Sequence, residues 1–328
     1  MSIPRPRPGR GEALIRIRAV GVCRSDLHYY LHGRIGNQVI RHWPQTLGHE
    51  AAGDVAATGT NVRNVKPGDR VAVEPATPCG KCPECRHGVG NVCKKTGFLG
   101  MPGQRGAFAE YLVHPARHLE KLPRTVSYEV GAALEPFAVG LHAVGLMGSR
   151  KPRRALVVGA GPIGLSVLAA LKLRRRLVTV CDCLPARLEV ARRMGADAAV
   201  RVASRVSMEK AVKTLGGDFD AVFEAGGTAE AVDLSLRAAA PKGFVALIGI
   251  PDGDTIPVSL HTARRKELTI VNVRRSNGEL ALGVRLVARG RIDLAPMITH
   301  RGGLADAGKL LALAARRGDG VVKAVIRP

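Results

Sequence analysis

Residues 155–173 read ALVVGAGPIGLSVLAALKL, a β-branched run that passes through a glycine turn into apolar residues at helical spacing. The turn holds Gly159, Gly161 and Gly164 in the pattern GxGxxG, with Pro162 and Ile163 between the second and the third. The first glycine permits a tight turn, the second lets a pyrophosphate approach the backbone, and the third lets helix and strand pack closely. The start of the helix then offers free N–H groups and the positive end of its dipole to phosphates. In a chain with 39 glycines the pattern alone says little. Its setting says more, because Asp182 stands eighteen residues after Gly164, at the end of the next strand-like run, LVTVCD. An acid there accepts hydrogen bonds from the adenosine ribose hydroxyls and disfavours a 2′-phosphate. The combination predicts an NAD site in preference to NADP, with Arg187 as a nearby cation that bears on that choice. The competing reading is a plain turn followed by a strand-end aspartate.

Working outward, strand-like and helix-like runs alternate: PARLEVARRMG, AVFEAGG, AEAVDLSLRAAA, GFVALIGI and LTIVNV. That order predicts a parallel sheet with helices on both faces. Upstream, from Gly11 to about Glu120, the text is β-like: ALIRIRAV alternates with period two, and DRVAVEP and AEYLVHPA are short runs set off by Gly, Pro and Asp. SYEVGAALEPFAVGLHAVGLM carries apolar residues at helical spacing. Near the end, AGKLLALAARR reads as a helix and VVKAVIR as a strand that returns to the N-terminal part.

A chain of 328 residues with 46% hydrophobic content has room for one large or two ordinary cores. The first ten residues, MSIPRPRPGR, lack the apolar centre of a signal peptide, and no apolar run approaches the roughly eighteen residues that span a bilayer. A soluble, cytoplasmic protein is expected, with no membrane partner. Seven cysteines, four of them clustered, suit a metal site in a reducing compartment better than a disulfide scaffold. The net charge of +23 raises the question of an anionic partner. Lys and Arg are scattered through every segment, however, and aromatic residues suited to base stacking make up only 3% of the chain, which argues against a nucleic-acid face.

Residues 78–95, PCGKCPECRHGVGNVCKK, bring Cys79, Cys82, Cys85 and Cys93 within fifteen positions. Four thiolates at that spacing can close a tetrahedral zinc completely, which leaves no position for a substrate and points to a structural role. A second set is spread over GVCRSDLHYY and TLGHEAAG. Cys23, His49 and Glu50 are a thiolate, an imidazole and a carboxylate, which a zinc site can use while keeping one position open. Taken singly, each has a plainer reading: a small buried hydrophobe for Cys23, a satisfied histidine for His49. Glu135 is a carboxylate within an otherwise apolar helix, where an unpartnered charge is costly and burial near a metal would account for it.

In order along the chain, GVCRSDLHYYLHGRIGN, LGHEAAG, PCGKCPECRHGVGNVC, LEPFAVGLHA and VVGAGPIG resemble the zinc-dependent medium-chain dehydrogenase/reductase family, and most closely its polyol branch, the sorbitol and xylitol dehydrogenases. The resemblance covers nearly the whole chain. It implies an α/β protein with a GroES-like, mostly β catalytic domain over 1–137, a Rossmann cofactor domain over 138–275 and a segment at 276–328 that returns to the first, with the active site in the cleft between the two. It implies a catalytic zinc on Cys23, His49 and Glu50, with Glu135 binding that zinc directly or through water, and a structural zinc on Cys79, Cys82, Cys85 and Cys93. Asp26 matches the partner that orients the histidine ligand. Ser25 matches the hydroxyl that takes the substrate proton, and His28 the outer end of the relay. The implied reaction passes a hydride from a zinc-polarised secondary hydroxyl to NAD. Family members are dimers or tetramers, so a homo-oligomer is expected.

The chain departs from the family pattern at three places. Cys23 follows 22 residues, about twenty fewer than usual, and a missing first strand would leave an unpaired sheet edge. Arg24 stands where polyol dehydrogenases have glycine and alcohol dehydrogenases often have a pyrophosphate-contacting arginine; the alternative is a solvated surface side chain. In VNVRRSNG, Arg274 matches the arginine of a phenylalanine-arginine-tyrosine segment that lines the polyol pocket, while Arg275 replaces the tyrosine. Tyr29 matches another pocket residue. A second guanidinium favours a more anionic or more hydroxylated substrate, so sugar acids such as idonate stand beside sorbitol. Three readings remain beside the leading one: a threonine or simple secondary-alcohol dehydrogenase of the same family, a basic zinc-ribbon protein that binds nucleic acid, and a decayed or truncated relative that binds NAD without turnover.

Overall fold

The alternating run at the N-terminal end forms the strand Glu12–Gly21 in the computed structural model, which describes residues 3–203, 206–253 and 255–328. Ala13, Ile15 and Ile17 on this strand pack with Val55, Val71, Leu112 and Ile326 in one buried cluster. The strand is paired on both flanks. On one side lies Glu50–Thr58, antiparallel, with Gly21 opposite Glu50. On the other, Tyr111–Pro115 pairs with its first half and Lys323–Arg327 with its last two residues, which places Val325 opposite Gly21. A seven-stranded sheet results, extended by Arg70–Val73 and Leu119–Lys121 at one edge and by Ile298–Gly303 at the other.

The chain divides into two compact units, Met1–Glu135 with Leu280–Pro328, and Pro136–Glu279. The second unit is built on six parallel strands in the spatial order Ala198–Arg201, Leu177–Asp182, Arg154–Val158, Phe219–Glu224, Ala239–Leu247, Thr269–Asn272. The chain winds outward from Arg154–Val158 in one direction, returns to its other side, and winds outward again. This is the doubly wound order, and it opens a crevice where the direction reverses, at the carboxyl ends of Val158 and Glu224. Leu156, Val158, Phe219, Val222, Leu234 and Val245 fill the core on one side of the sheet. The expected α/β fold class, a mostly β domain and a parallel doubly wound domain, is what the chain forms. Among the described residues no helix is long and apolar enough to cross a membrane.

Candidate functional site

The four clustered cysteines come together. Their sulfurs lie within 4.8 Å of one another, and Cys82 Sγ is 3.6 Å from Cys93 Sγ. Local turns do this: Cys82 precedes the short helix Pro83–Arg86, and Cys93 closes the 3₁₀ turn Gly90–Val92. The backbone N–H groups of Lys81 and Cys82 pull the Cys79 thiol down to about 6. Cys82 moves the opposite way. The Cys85 N–H favours its thiolate, but burial, Glu84 and the neighbouring Cys85 and Cys79 sulfurs outweigh that and hold it above the ordinary thiol value. Four sulfurs this close cannot all be thiolates without a cation among them, and all seven cysteines of the chain are free of disulfides. The donor set fits a closed zinc site.

The second set also converges. Cys23 Sγ, one nitrogen of His49 and one oxygen of Glu50 lie within 4.8 Å of one another, although the residues come from two separate stretches. Cys23 is the N-cap of the helix Arg24–His32, and Glu50 is the first residue of the strand opposite Gly21. Asp26 ties the two stretches together. Its Oδ2 accepts from Cys23 N–H at 2.9 Å, its Oδ1 accepts from Gly48 N–H at 3.0 Å, and the same oxygen is 3.5 Å from His49 Nδ1. That leaves His49 Nε2 on the other side, 3.5 Å from Ser25 Oγ. Burial pulls the His49 pKa down, but the Asp26 carboxylate and Cys23 outweigh it and hold it well above the ordinary imidazole value. A thiol, an imidazole nitrogen and a carboxylate oxygen this close together form a donor set that fits a zinc ion.

Glu135 is buried in the helix Tyr128–Gly145 and is not one of the three residues whose ligand atoms converge. It nevertheless feels them. Burial, together with Glu50 and Glu74, pushes its carboxyl up to about 7, against the pull of His49 and Lys323. Lys323 was not singled out in the sequence. Its ammonium is 1% exposed and donates to both oxygens of Glu50 at 2.7 Å and to the carbonyl of Val22 at 3.0 Å.

In the second unit the glycine turn sits at the topological switch point. Gly159 adopts φ +98°, which favours glycine, and a Cβ on Gly164 would fall 1.8 Å from the Gly159 carbonyl oxygen. Gly161 is the N-cap of the helix Pro162–Leu173, with Pro162 at its first position, where a missing N–H costs nothing, and Ile163 next. Asp182 ends the neighbouring strand, and its carboxylate accepts from Ala160 N–H at 2.7 Å and Leu184 N–H at 2.9 Å. Arg187 Nη1 lies 3.7 Å from the same carboxylate. Glu224, also missed in the sequence, is buried at the end of the adjacent strand and accepts from Gly226 and Gly227 N–H at 2.7 and 2.6 Å. The donors, the open turn and the acid fit a dinucleotide.

The remaining candidates divide between the units. Arg24 opens the helix Arg24–His32, and His28 is buried one turn further on. Tyr29 packs with Ile40 and Leu47, and its hydroxyl donates to Gln38 Oε1 at 3.2 Å. Arg274 and Arg275 follow the carboxyl end of Thr269–Asn272 in the second unit, Arg275 with φ +58°.

Residues 9–124 match the alcohol dehydrogenase GroES-like domain, and residues 162–289 match the zinc-binding dehydrogenase domain. Sorbitol dehydrogenase of Bacillus subtilis is 36% identical over 303 residues, covering 92% of this chain and 85% of that protein. L-idonate 5-dehydrogenase of Vitis vinifera is 35% identical, covering 90% of this chain and 82% of that protein. Among solved structures, a zinc-binding dehydrogenase of Sinorhizobium meliloti bound to NADP superposes with a TM-score of 0.87 at 30% identity, covering 99% of this chain and 94% of that one. An alcohol dehydrogenase of Escherichia coli CFT073 complexed with NADH superposes with a TM-score of 0.88 at 28% identity, covering 98% and 94%. With two domain matches in order and relatives of this identity along most of its length, the chain belongs to the zinc-dependent medium-chain dehydrogenase/reductase family, on its polyol dehydrogenase-like branch.

Proposed function

We propose that the protein is a zinc- and NAD-dependent dehydrogenase that oxidises a secondary hydroxyl of a polyol or sugar acid to a ketone. The observation that carries the reading is the convergence of Cys23, His49 and Glu50 on one point, with the Glu135 carboxyl close enough to be perturbed by them. When bound, zinc supplies a Lewis acid for the substrate hydroxyl, and NAD supplies the hydride acceptor. The chain does the rest. Cys23, His49 and Glu50 would hold the metal, Asp26 fixes the imidazole through Nδ1, and Glu135 would add a further carboxyl beside the set. Ser25 takes the proton of the substrate hydroxyl and His28 passes it outward; the two are three residues apart on one helix and so share a face.

In the second unit, the turn Gly159–Gly164 and the start of the helix after it receive the pyrophosphate, and Asp182 with Arg187 receives the adenosine ribose. Arg24, in the first unit, offers a cation suited to a phosphate group. Tyr29 in the first unit, and Arg274 and Arg275 in the second, each offer polar groups suited to a hydroxyl-rich or anionic substrate. The enzyme acts in the cytoplasm as a homo-oligomer. Cys79, Cys82, Cys85 and Cys93 hold the second zinc and take no part in the chemistry.

The test is a panel of sorbitol, xylitol, idonate, threonine and simple secondary alcohols offered to zinc-replete protein with NAD or NADP, followed at the reduced-nicotinamide absorbance. Turnover of a polyol or sugar acid, faster with NAD, is expected. Turnover confined to threonine or a simple alcohol would replace the substrate, and none on any member would overturn the reading.

A further inference from the structure

Lys323 is a charge in the wrong place for a strand of the core. It opens Lys323–Arg327 in the sequence VVKAVIR, where a lysine reads as the solvent-facing residue of an alternating strand, yet only 1% of its side chain is exposed. An ammonium has three N–H donors, and here all three are spent, on Glu50 Oε1, Glu50 Oε2 and the carbonyl of Val22. Those partners are not arbitrary, since Val22 immediately precedes Cys23, and Glu50 immediately follows His49.

Sheet register makes the contact possible. Gly21 has Glu50 as its partner on one side and Val325 on the other, and Val22 N–H donates to the carbonyl of Ala324 at 2.9 Å. The glycine matters as much as the lysine. A Cβ at position 21 would fall 2.0 Å from Glu50 Oε2, so the carboxylate lies in the space that any other residue would fill. The Glu50 side chain is thus held from below by a missing side chain and from the flank by a fully committed cation.

We propose that Lys323 is a positioning residue for the catalytic metal: together with Gly21 it seats the Glu50 carboxylate and ties that seat to the backbone beside Cys23. The proposal rests on the reading that Cys23, His49 and Glu50 hold a zinc. Lys323 touches neither substrate nor cofactor in this account. Its three donated hydrogen bonds fix where the Glu50 carboxylate lies in the protein before a metal arrives. A lysine that merely stapled strands together would contribute to stability and leave metal affinity alone.

The experiment measures zinc content and zinc affinity by competition with a chromophoric chelator, and the visible d–d spectrum after replacement of the catalytic metal by Co²⁺. The proteins are wild type, Lys323→Met, Gly21→Ala, Glu50→Gln and the double variant Glu50→Gln/Lys323→Met. Wild type is expected to hold two zinc ions per chain, one for each of the two donor sets found among the described residues. Lys323→Met weakens the zinc of the Cys23 set about 10- to 100-fold and shifts the cobalt bands, while the four-cysteine zinc stays bound and reports that the fold is intact. The double variant binds no more weakly than Glu50→Gln alone, because the lysine acts through that carboxylate. If Lys323→Met is not recovered folded, Gly21→Ala carries the test, with the same loss expected from the opposite side of the seat. Unchanged affinity and spectrum in the folded variants, or losses in the double variant that simply multiply, overturn the proposal. A wild-type protein that takes up only the four-cysteine zinc overturns the underlying metal reading instead.

Discussion

Asp182 shows how one residue that serves the fold is also placed to serve the proposed ligand. Both of its oxygens already accept backbone hydrogen bonds, from Ala160 and Leu184, so the carboxylate is aimed before a nucleotide arrives. Asp182→Asn keeps the shape and removes the charge. Its KM for NAD should rise about tenfold or more, since a hydrogen bond to a charged group contributes ~1.5–3 kcal/mol, and its preference over NADP should shrink. Steady-state kinetics with both nucleotides checks this, and an unchanged NAD/NADP ratio would remove Asp182 from cofactor selection. Residues of this kind were legible because their spacing carries the chemistry: glycine, glycine, glycine, acid; or cysteine at intervals of three. Lys323 was not. Its meaning depends on a partner 273 residues away, which no local pattern reveals. Glu224 escaped for a similar reason, because a glutamate that ends a strand next to two glycines looks solvated until its N–H partners are seen.

At the scale of elements, the four-cysteine loop makes the sharpest prediction. Cys85→Ser should lower the zinc content from two ions to one and reduce the melting temperature, because a closed site contributes to folding. In the folded fraction, the single-turnover rate of hydride transfer should match the wild type. A variant with full zinc and stability but slow transfer would assign the loop to catalysis. In the glycine turn, Gly164→Ala forces a methyl into the Gly159 carbonyl and should destabilise the unit Pro136–Glu279 by about 1–3 kcal/mol, measurable by denaturant unfolding. The long periodic elements were legible in the sequence. The helix Arg24–His32 is not legible as one, since Asp26 and His28 are among its buried residues and blur the apolar stripe. Ala198–Arg201 was missed because AAVR is short and rich in alanine, a poor strand former.

For the molecule as a whole, the return of the C-terminal segment matters most, because it brings Lys323 to Glu50 and to the backbone beside Cys23. A second device fastens the same segment: Glu129 accepts from Arg301 Nε at 2.9 Å and from Arg327 Nε at 2.6 Å. Burial pushes the Glu129 carboxyl up, but the Arg327 and Arg301 guanidiniums outweigh it, so its pKa lies below the ordinary carboxylate value of 4.5. A depressed carboxylate stabilises the fold above its unfolded pKa, and that contribution is lost as pH falls through the folded value. Glu129→Gln should therefore melt lower than wild type at neutral pH, with the gap closing as pH drops below 4.5. A gap that persists in acid would mean that packing rather than charge holds the segment.

The central claim is that this chain moves a hydride from a secondary carbinol to NAD at a metal held by Cys23. The direct measurement uses a polyol deuterated at its secondary carbinol carbons, with zinc-replete protein and NAD, and mass analysis of the reduced cofactor. The account predicts deuterium in the reduced nicotinamide with wild type and none with Cys23→Ser. Reduced cofactor without the label, or label transfer undiminished by the substitution, would contradict it.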